Sequence, residues 1–106
     1  MFSLIDLSFV DFDVAAAATT VLVAPVAGKR VYVLRFIANT FTPLDFSLVD
    51  SAAALCMKEF TLGTRGGLIL GLSAQPWCKT PTALGLNLLT DSAARITGRL
   101  WYIQKA

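Results

Sequence analysis

Charged side chains are scarce in this sequence of 106 residues. Asp, Glu, Lys and Arg make up 15% of the chain and hydrophobic types 56%, whereas an average soluble domain is about 25% charged. A single domain of this length leaves roughly 35–40% of its unfolded-chain surface in water. So few charges cannot cover that surface, and either a membrane or other protein chains must bury part of it.

The chain also lacks a long apolar run. A membrane-spanning helix needs about 20 consecutive apolar residues, and the longest weakly polar stretch, residues 14–28, contains Thr19, Thr20 and Pro25. The N-terminus carries acidic residues and no basic region, which is unlike a secretory signal. We therefore expect a chain that is made in a cytoplasm and has no membrane partner. We expect it to form an obligate oligomer, a trimer, that buries part of its apolar surface.

Histidine is absent, which excludes Ser-His-Asp and Cys-His catalytic groups and histidine-ligated zinc. The carboxylates are scattered and the two cysteines form no CxxC motif. The sequence therefore predicts no enzyme, no catalytic residues, no cofactor and no metal. Cys56 and Cys78 are expected to be buried free thiols. A disulfide is the alternative, and it would need an oxidising compartment.

Charge is distributed unevenly along the chain. Residues 1–50 contain three basic and five acidic side chains, whereas residues 51–106 contain six basic and two acidic ones. The net charge of +2 is too small to indicate a nucleic-acid partner. The pattern predicts an acidic, extended N-terminal arm (residues 1–18) on a mildly basic domain (residues 19–106).

Apolar residues alternate with period two along most of the chain, which is typical of β-strands. About seven or eight such segments follow one another at spacings near ten residues, separated by Gly, Pro, Asp and Ser turns. This spacing predicts an all-β fold: a single antiparallel β-sandwich, jelly-roll-like, with the arm outside it. The expected core comprises apolar members of the alternating faces: Val21, Val23, Leu34, Phe36, Phe46, Leu48, Leu70, Leu88, Ile96 and Leu100.

The arm has an apolar row, Ile5, Leu7 and Phe9, and three acidic residues, among them Asp11. An isolated extended segment exposes unpaired amides and carbonyls, so it seeks an edge to pair with. We expect the arm to pair with a sister chain or with another protein of the assembly. The alternative is that it forms the first strand of its own sandwich.

Three further features are candidate contact sites. The glycine cluster of residues 63–67 lacks the Lys-Ser/Thr of a phosphate loop and is interpreted as a turn, whose tip residue Arg65 could contact an acidic partner. Trp77 lies in a loop, where it anchors an interface, stacks on a sugar or closes one end of the sandwich. Trp101 and Tyr102 are adjacent on the last strand, so one faces the core and the other faces outward.

Five short segments stand out by their order along the chain: PVAGKRVYVL (25–34), GGL (66–68), PW (76–77), GLNL (85–88) and ITGRLWY (96–102). This order resembles that of small virion proteins of tailed bacteriophages. The resemblance covers about residues 19–103 and implies a non-enzymatic structural protein of the virion with a β-sandwich fold.

Within that class, the resemblance implies a capsid decoration (cement) protein on the capsid surface, a trimer that clamps the major capsid protein. The residues expected at its interfaces are Ile5, Leu7, Phe9, Asp11, Arg65, Trp77 and Trp101. The alternative is a phage tail or fibre module that binds host-surface glycan through Trp77 or Trp101.

Overall fold

A computed structural model describes residues 7–15, 17–73, 75–91 and 94–106, and this part of the chain contains strands and no helix. The predicted all-β class is therefore confirmed. The strands are β1 (Ser8–Val14), β2 (Thr19–Val23), β3 (Arg30–Thr40), β4 (Leu44–Asp50), β5 (Phe60–Leu62), β6 (Gly67–Leu70), β7 (Cys78–Lys79), β8 (Leu86–Thr90) and β9 (Ile96–Lys105).

The strands form two antiparallel sheets. The first, called the β9 sheet here, has the order β1-β9-β3-β6, and the short β7 also pairs with β3. The second, the β8 sheet, has the order β2-β8-β4-β5. Successive strands pass from one sheet to the other, except that β4 and β5 share the β8 sheet and β6 and β7 share the β9 sheet. The strand orders are those of a jelly roll, so the predicted jelly-roll-like sandwich is confirmed.

A chain of phenylalanine rings crosses the space between the sheets. Phe12 and Phe36 of the β9 sheet stack with ring centroids 5.6 Å apart. Phe36 lies 5.8 Å from Phe46 of the β8 sheet, and Phe46 lies 5.3 Å from Phe60. Because these contacts join both layers, the rings tie the two sheets into one core.

Most of the predicted core is confirmed. Leu70 is half-buried and packs against the core. The other buried members of the predicted set are Val23, Leu34, Phe36, Phe46, Leu48, Leu88, Ile96 and Leu100.

Val21 is the one error in that set, since 62% of it is exposed. The pairing of β2 with β8 shifts register between Val21 and Val23, and the bulge buries the adjacent Leu22 and Val23 while Val21 faces outward. A bulge reverses the alternation of side chains from one face to the other.

Residues 8–14 are not an arm. They form β1, which pairs with β9 of the same chain in an uninterrupted register from Ser8↔Tyr102 to Val14↔Ile96. Phe12 and Val14 lie in the core. The prediction of an arm was therefore wrong for these residues, and its alternative, a first strand of the sandwich, is correct. Ile5 and the other residues of 1–6 lie outside the described residues.

The strand was mistaken for an arm because its apolar residues do not keep to the odd-numbered positions. Ile5, Leu7 and Phe9 are odd-numbered, but the row continues through the even-numbered Val10, Phe12 and Val14. In β1 the even residues face the second sheet and the odd ones face outward. After Phe9 the apolar residues therefore move from odd to even positions in the sequence.

Cys56 and Cys78 form a disulfide, so the expectation of free thiols was wrong. Their Cα atoms are 5.7 Å apart, within the usual range for a bridged pair. Cys56 follows β4 of the β8 sheet, and Cys78 belongs to β7, which pairs with β3 of the β9 sheet. The bridge therefore links the two layers at one margin of the sandwich.

Reduction of this bridge is expected to lower the free energy of unfolding by about 3 kcal/mol, because it releases a closed loop of the unfolded chain. Urea unfolding with and without a reductant measures the difference. The doubly substituted chain, Cys56→Ser with Cys78→Ser, is the control and should unfold at the same urea concentration in both conditions. Equal midpoints for the unsubstituted chain in both conditions would show that no bridge is formed.

Candidate interface on the β9 sheet

The outer face of the β9 sheet brings three predicted contact residues together. Phe12 and Leu100 are buried, and side chains alternate between the faces of a strand. Phe9 and Asp11 of β1 and Trp101 of β9 therefore point away from the core. Phe9 pairs with Trp101, and Trp101 pairs with Arg35 of β3. These three side chains therefore form one row across three strands.

Trp101 lies between two arginines. The guanidinium carbon of Arg35 is 4.6 Å from the centre of the indole ring, and that of Arg99 is 5.6 Å from it. The guanidinium carbon of Arg99 also lies 4.3 Å from the centre of the Phe9 ring. Cation–π contacts of this kind contribute about 0.5–1 kcal/mol at exposed sites and more when desolvated. They hold the aromatic rings and the guanidinium groups in a fixed arrangement on the surface.

Arg35 has an unsatisfied polar group. Its Nε is buried and has no hydrogen-bond partner among the described residues. A buried N–H without an acceptor costs about 1–3 kcal/mol. Another molecule cannot reach a buried atom, so this cost stays with the fold. The terminal N–H groups of Arg35 are therefore its candidate contacts with a carbonyl or carboxylate.

Two ion pairs flank the row. Asp11 accepts hydrogen bonds from Nε and Nη2 of Arg99, the second at 3.1 Å. Asp13 accepts from Nε of Arg95 at 2.8 Å and from Nη2 at 2.6 Å. Both pairs are exposed to solvent, so they contribute little to stability. Their effect is to orient the guanidinium groups, because a two-point contact fixes the plane of each group.

Hydrogen bonding from Arg99 lowers the pKa of Asp11, and hydrogen bonding from Arg95 lowers the pKa of Asp13. A carboxyl whose pKa is lowered on folding adds stability above its usual pKa and loses it as the pH falls through the lowered value. Both pairs are therefore expected to stay ionised at neutral pH and to be lost only below the usual range of aspartate.

Carboxyl-detected NMR titration tests this expectation. In the Arg99→Gln chain the midpoint of Asp11 should rise toward the ordinary aspartate value while that of Asp13 stays low. In the Arg95→Gln chain the midpoint of Asp13 should rise while that of Asp11 stays low. A midpoint of Asp11 that does not change when Arg99 is replaced would contradict the pairing.

The apolar part of the face continues onto β6. Ile37 pairs with Ile69 of β6, on the same side as Arg35 and Trp101. Ile69 is 71% exposed and Phe9 is 56% exposed. Phe9 lies at one end of the arginine–tryptophan row, and Ile69 lies in the next row, Asp11–Arg99–Ile37–Ile69. Together they form an outward-facing patch with large apolar side chains, which is typical of protein contact sites. We call Phe9, Arg35, Arg99, Trp101 and Ile69 the outer patch.

At the end of the same sheet where Asn39 and Thr97 pair, the surface forms a recess of about 450 Å³. Phe41, Arg65 and Arg95 complete its walls. Arg65, predicted as a contact residue, thus lies apart from the row around Trp101. Two hydrogen bonds stabilise the turn of residues 63–67. The Arg65 N–H donates to the Phe41 carbonyl and the Gly66 N–H donates to the Gly63 carbonyl, each at 2.9 Å.

Trp77 lies away from both places, in the segment between β6 and β7. It is exposed to 43%, and its indole N–H donates to the Gly71 carbonyl at 2.8 Å. Its own backbone N–H donates to the Val33 carbonyl at 2.8 Å. Residues 71–81 contain a single amide side chain, Gln75, and no carboxylate. The polar ring that a sugar needs around Trp77 is therefore not provided by its own loop.

Among the predicted contact residues, Leu7 is half-buried just before β1 and Ile5 lies outside the described residues. Phe9, Asp11 and Trp101 share the outer face. Arg35, Arg99, Ile69 and Phe41 were not among the predicted contact residues. The signal for the first two was present, because each is an arginine in the middle of a strand and not in a turn. That the predicted residues form an interface stays a prediction.

Within the described ranges, no three His, Cys, Asp or Glu residues lie close enough together to hold a metal ion. The same part of the chain contains no helix with the length and apolar character needed to span a bilayer.

Comparison with known proteins adds the fold alone. No family model and no curated protein matches the sequence. A solved structure from Bacillus endospore appendages, described as a novel family of disulfide-linked pili, is similar to this chain with a TM-score of 0.50 and 11% sequence identity. The alignment covers 94% of this chain and 86% of that one.

Proposed function

We propose that this chain is a non-enzymatic structural subunit that binds other protein chains through the outer patch of its β9 sheet. The observation that carries the proposal is the row Phe9–Trp101–Arg35, in which Phe9 is exposed and the guanidinium carbons of Arg35 and Arg99 lie 4.6 and 5.6 Å from the centre of the indole ring. Tryptophan and arginine are the residues that most often dominate binding energy at interfaces.

The composition supports the same proposal. Few charges cover the surface of this chain, and its outer patch places exposed apolar groups beside oriented guanidinium groups. A partner with a carbonyl or carboxylate beside Arg35 and apolar groups beside Phe9 and Ile69 would match both the charged and the apolar parts of the patch. Apolar burial then provides most of the affinity and the arginines set the orientation.

The more specific proposal is capsid decoration. It rests on the resemblance of five segments to small virion proteins of tailed phages, and it takes the major capsid protein as the partner. In this proposal the chain is a trimer on the capsid surface.

A second candidate is a subunit of an extracellular filament. Two observations favour it: the Cys56–Cys78 disulfide, which persists in oxidising surroundings, and the similarity in fold to the protein of disulfide-linked pili. Both candidates are assemblies of structural subunits, and they differ in the partner.

Sedimentation of the purified, oxidised full chain tests the shared proposal. We expect an oligomer at micromolar concentration, and we expect Ile69→Glu to dissociate it, because the substitution places a charge in the patch. Val21→Glu is the matched control: it changes an exposed apolar residue of the other sheet and should leave the oligomer intact. A chain that is monomeric throughout this range and binds no shell would contradict the proposal.

Electron microscopy of the same sample separates the two candidates. Closed trimers that bind to undecorated capsid shells favour decoration. Filaments of the purified chain favour the pilus-like subunit and contradict decoration.

A further inference from the structure

The recess at the end of the β9 sheet combines three kinds of group on one concave surface. Arg65 and Arg95 provide guanidinium groups, Asn39 and Thr97 provide an amide and a hydroxyl, and Phe41 provides an aromatic ring that is 71% exposed. Its volume of about 450 Å³ lies within the usual range for small-ligand sites.

Arg65 is the free cation of this group. Among the described residues no hydrogen bond or ion pair engages its side chain. Its backbone takes a left-handed conformation, with φ of 52°, which an arginine seldom adopts. The hydrogen bond from its N–H to the Phe41 carbonyl keeps this conformation. Arg65 is thus held beside the phenylalanine.

The glycines next to Arg65 are needed for this geometry. A Cβ on Gly66 would lie 2.8 Å from the Gly63 carbonyl oxygen, and a Cβ on Gly67 would lie 3.1 Å from Oδ1 of Asn39. The loop therefore packs tightly on itself and on Asn39. The wall of the recess is therefore preformed, which reduces the entropy lost on ligand binding.

Arg95 retains donors that can face a ligand. Asp13 occupies its Nε and Nη2, and this leaves the two protons of Nη1 and one of Nη2. The Arg95 backbone is held as well, because its carbonyl accepts a hydrogen bond of 3.0 Å from the Thr40 hydroxyl. The guanidinium group of Arg95, held by Asp13, and the unengaged guanidinium group of Arg65 line one recess, and together they form a site for a carboxylate.

We propose that this recess binds an acidic sugar, a pyranose that carries a carboxylate. The guanidinium groups of Arg65 and Arg95 pair with the carboxylate. Asn39 and Thr97, which are paired across β3 and β9, bind the hydroxyl groups. Phe41 packs on the apolar face of the ring. An acidic peptide would compete for the same arginines, so binding of such a peptide is measured beside binding of the sugar.

This inference goes beyond the proposed structural role, since it gives the subunit a second contact, with carbohydrate. Titration of the full chain with free glucuronate and free N-acetylneuraminate, followed by amide NMR, tests it. We expect millimolar binding of at least one of these sugars, with shifts confined to the recess. Glucose, which has the ring of glucuronate without its carboxylate, should bind at least about tenfold more weakly than glucuronate.

Variants identify the groups involved. Arg65→Gln and Phe41→Ala are each expected to weaken binding of the acidic sugar about tenfold. Lys58→Gln, which removes an exposed charge elsewhere, should leave binding unchanged.

Absence of binding by both sugars at millimolar concentration overturns the proposal. Equal binding of an acidic peptide or of inorganic phosphate also overturns it, because attraction by charge alone would then explain the result. The oligomer should be unaffected by Arg65→Gln, so failure of this inference and failure of the structural role are separate outcomes.

Discussion

Replacing Phe36 with alanine is expected to lower the free energy of unfolding by about 3–5 kcal/mol. Phe36 is fully buried and its ring lies between Phe12 of its own sheet and Phe46 of the other. The substitution removes the link between the two layers and leaves a cavity that the surrounding strands cannot close. Such a loss is a large fraction of the stability of a small domain.

Urea unfolding followed by fluorescence measures this loss. Val21→Ala is the control outside the outer patch: its side chain is exposed, and surface substitutions usually change stability by less than about 0.5 kcal/mol. Where the alanine variant does not fold, Phe36→Leu provides a smaller cavity and should still cost more than Val21→Ala. A loss below about 1 kcal/mol for Phe36→Ala would contradict the placement of this ring in the core.

Deleting residues 1–14 is expected to unfold the domain. The deletion removes the strand next to β9, together with the buried side chains of Phe12 and Val14. Loss of a large core side chain alone costs about 3–5 kcal/mol, and the edge of β9 would lose its hydrogen bonds as well. The total approaches the whole stability of a domain of this size.

Circular dichroism and urea unfolding of the truncated chain measure the effect. Two point variants in the full chain provide the matched comparison. Phe12→Ala, on the inward face of β1, should cost about 3 kcal/mol or more, whereas Phe9→Ala, on the outward face, should cost far less. A truncated chain that folds with unchanged stability would support an independent arm after all.

The all-β class and the jelly-roll sandwich could be predicted because they depend on local patterns: alternating apolar residues and turns about every ten residues. The error in the predicted core came from shifts in the pairing register of the strands. β2 has a bulge at Val21/Val23 and β3 has one at Val33/Arg35, and neither position has a glycine or proline to indicate it. A bulge reverses which side chains face the core, so strict alternation misplaced Val21.

The disulfide and the outer patch depend on contacts between distant parts of the chain. Cys56 and Cys78 meet only because the segment after β4 folds toward β7. Phe9 and Trp101 could be selected as exposed aromatics, but the row that joins them to Arg35 exists only in the register of three strands. Sequence spacing contains no information on that register, which is why the contact of Arg35 with Trp101 could not be predicted. Arg99 lies two residues before Trp101 on the same strand, so it could have been selected from the alternation alone.

The central claim is that the outer patch is the surface by which this chain assembles. Hydroxyl-radical footprinting of the two tryptophans tests it directly, because Trp101 lies in the patch and Trp77 lies outside it. We predict that Trp101 is oxidised more slowly in the assembled protein than in the Ile69→Glu chain, while Trp77 is oxidised at the same rate in both. Equal oxidation of Trp101 in the two states would contradict the account.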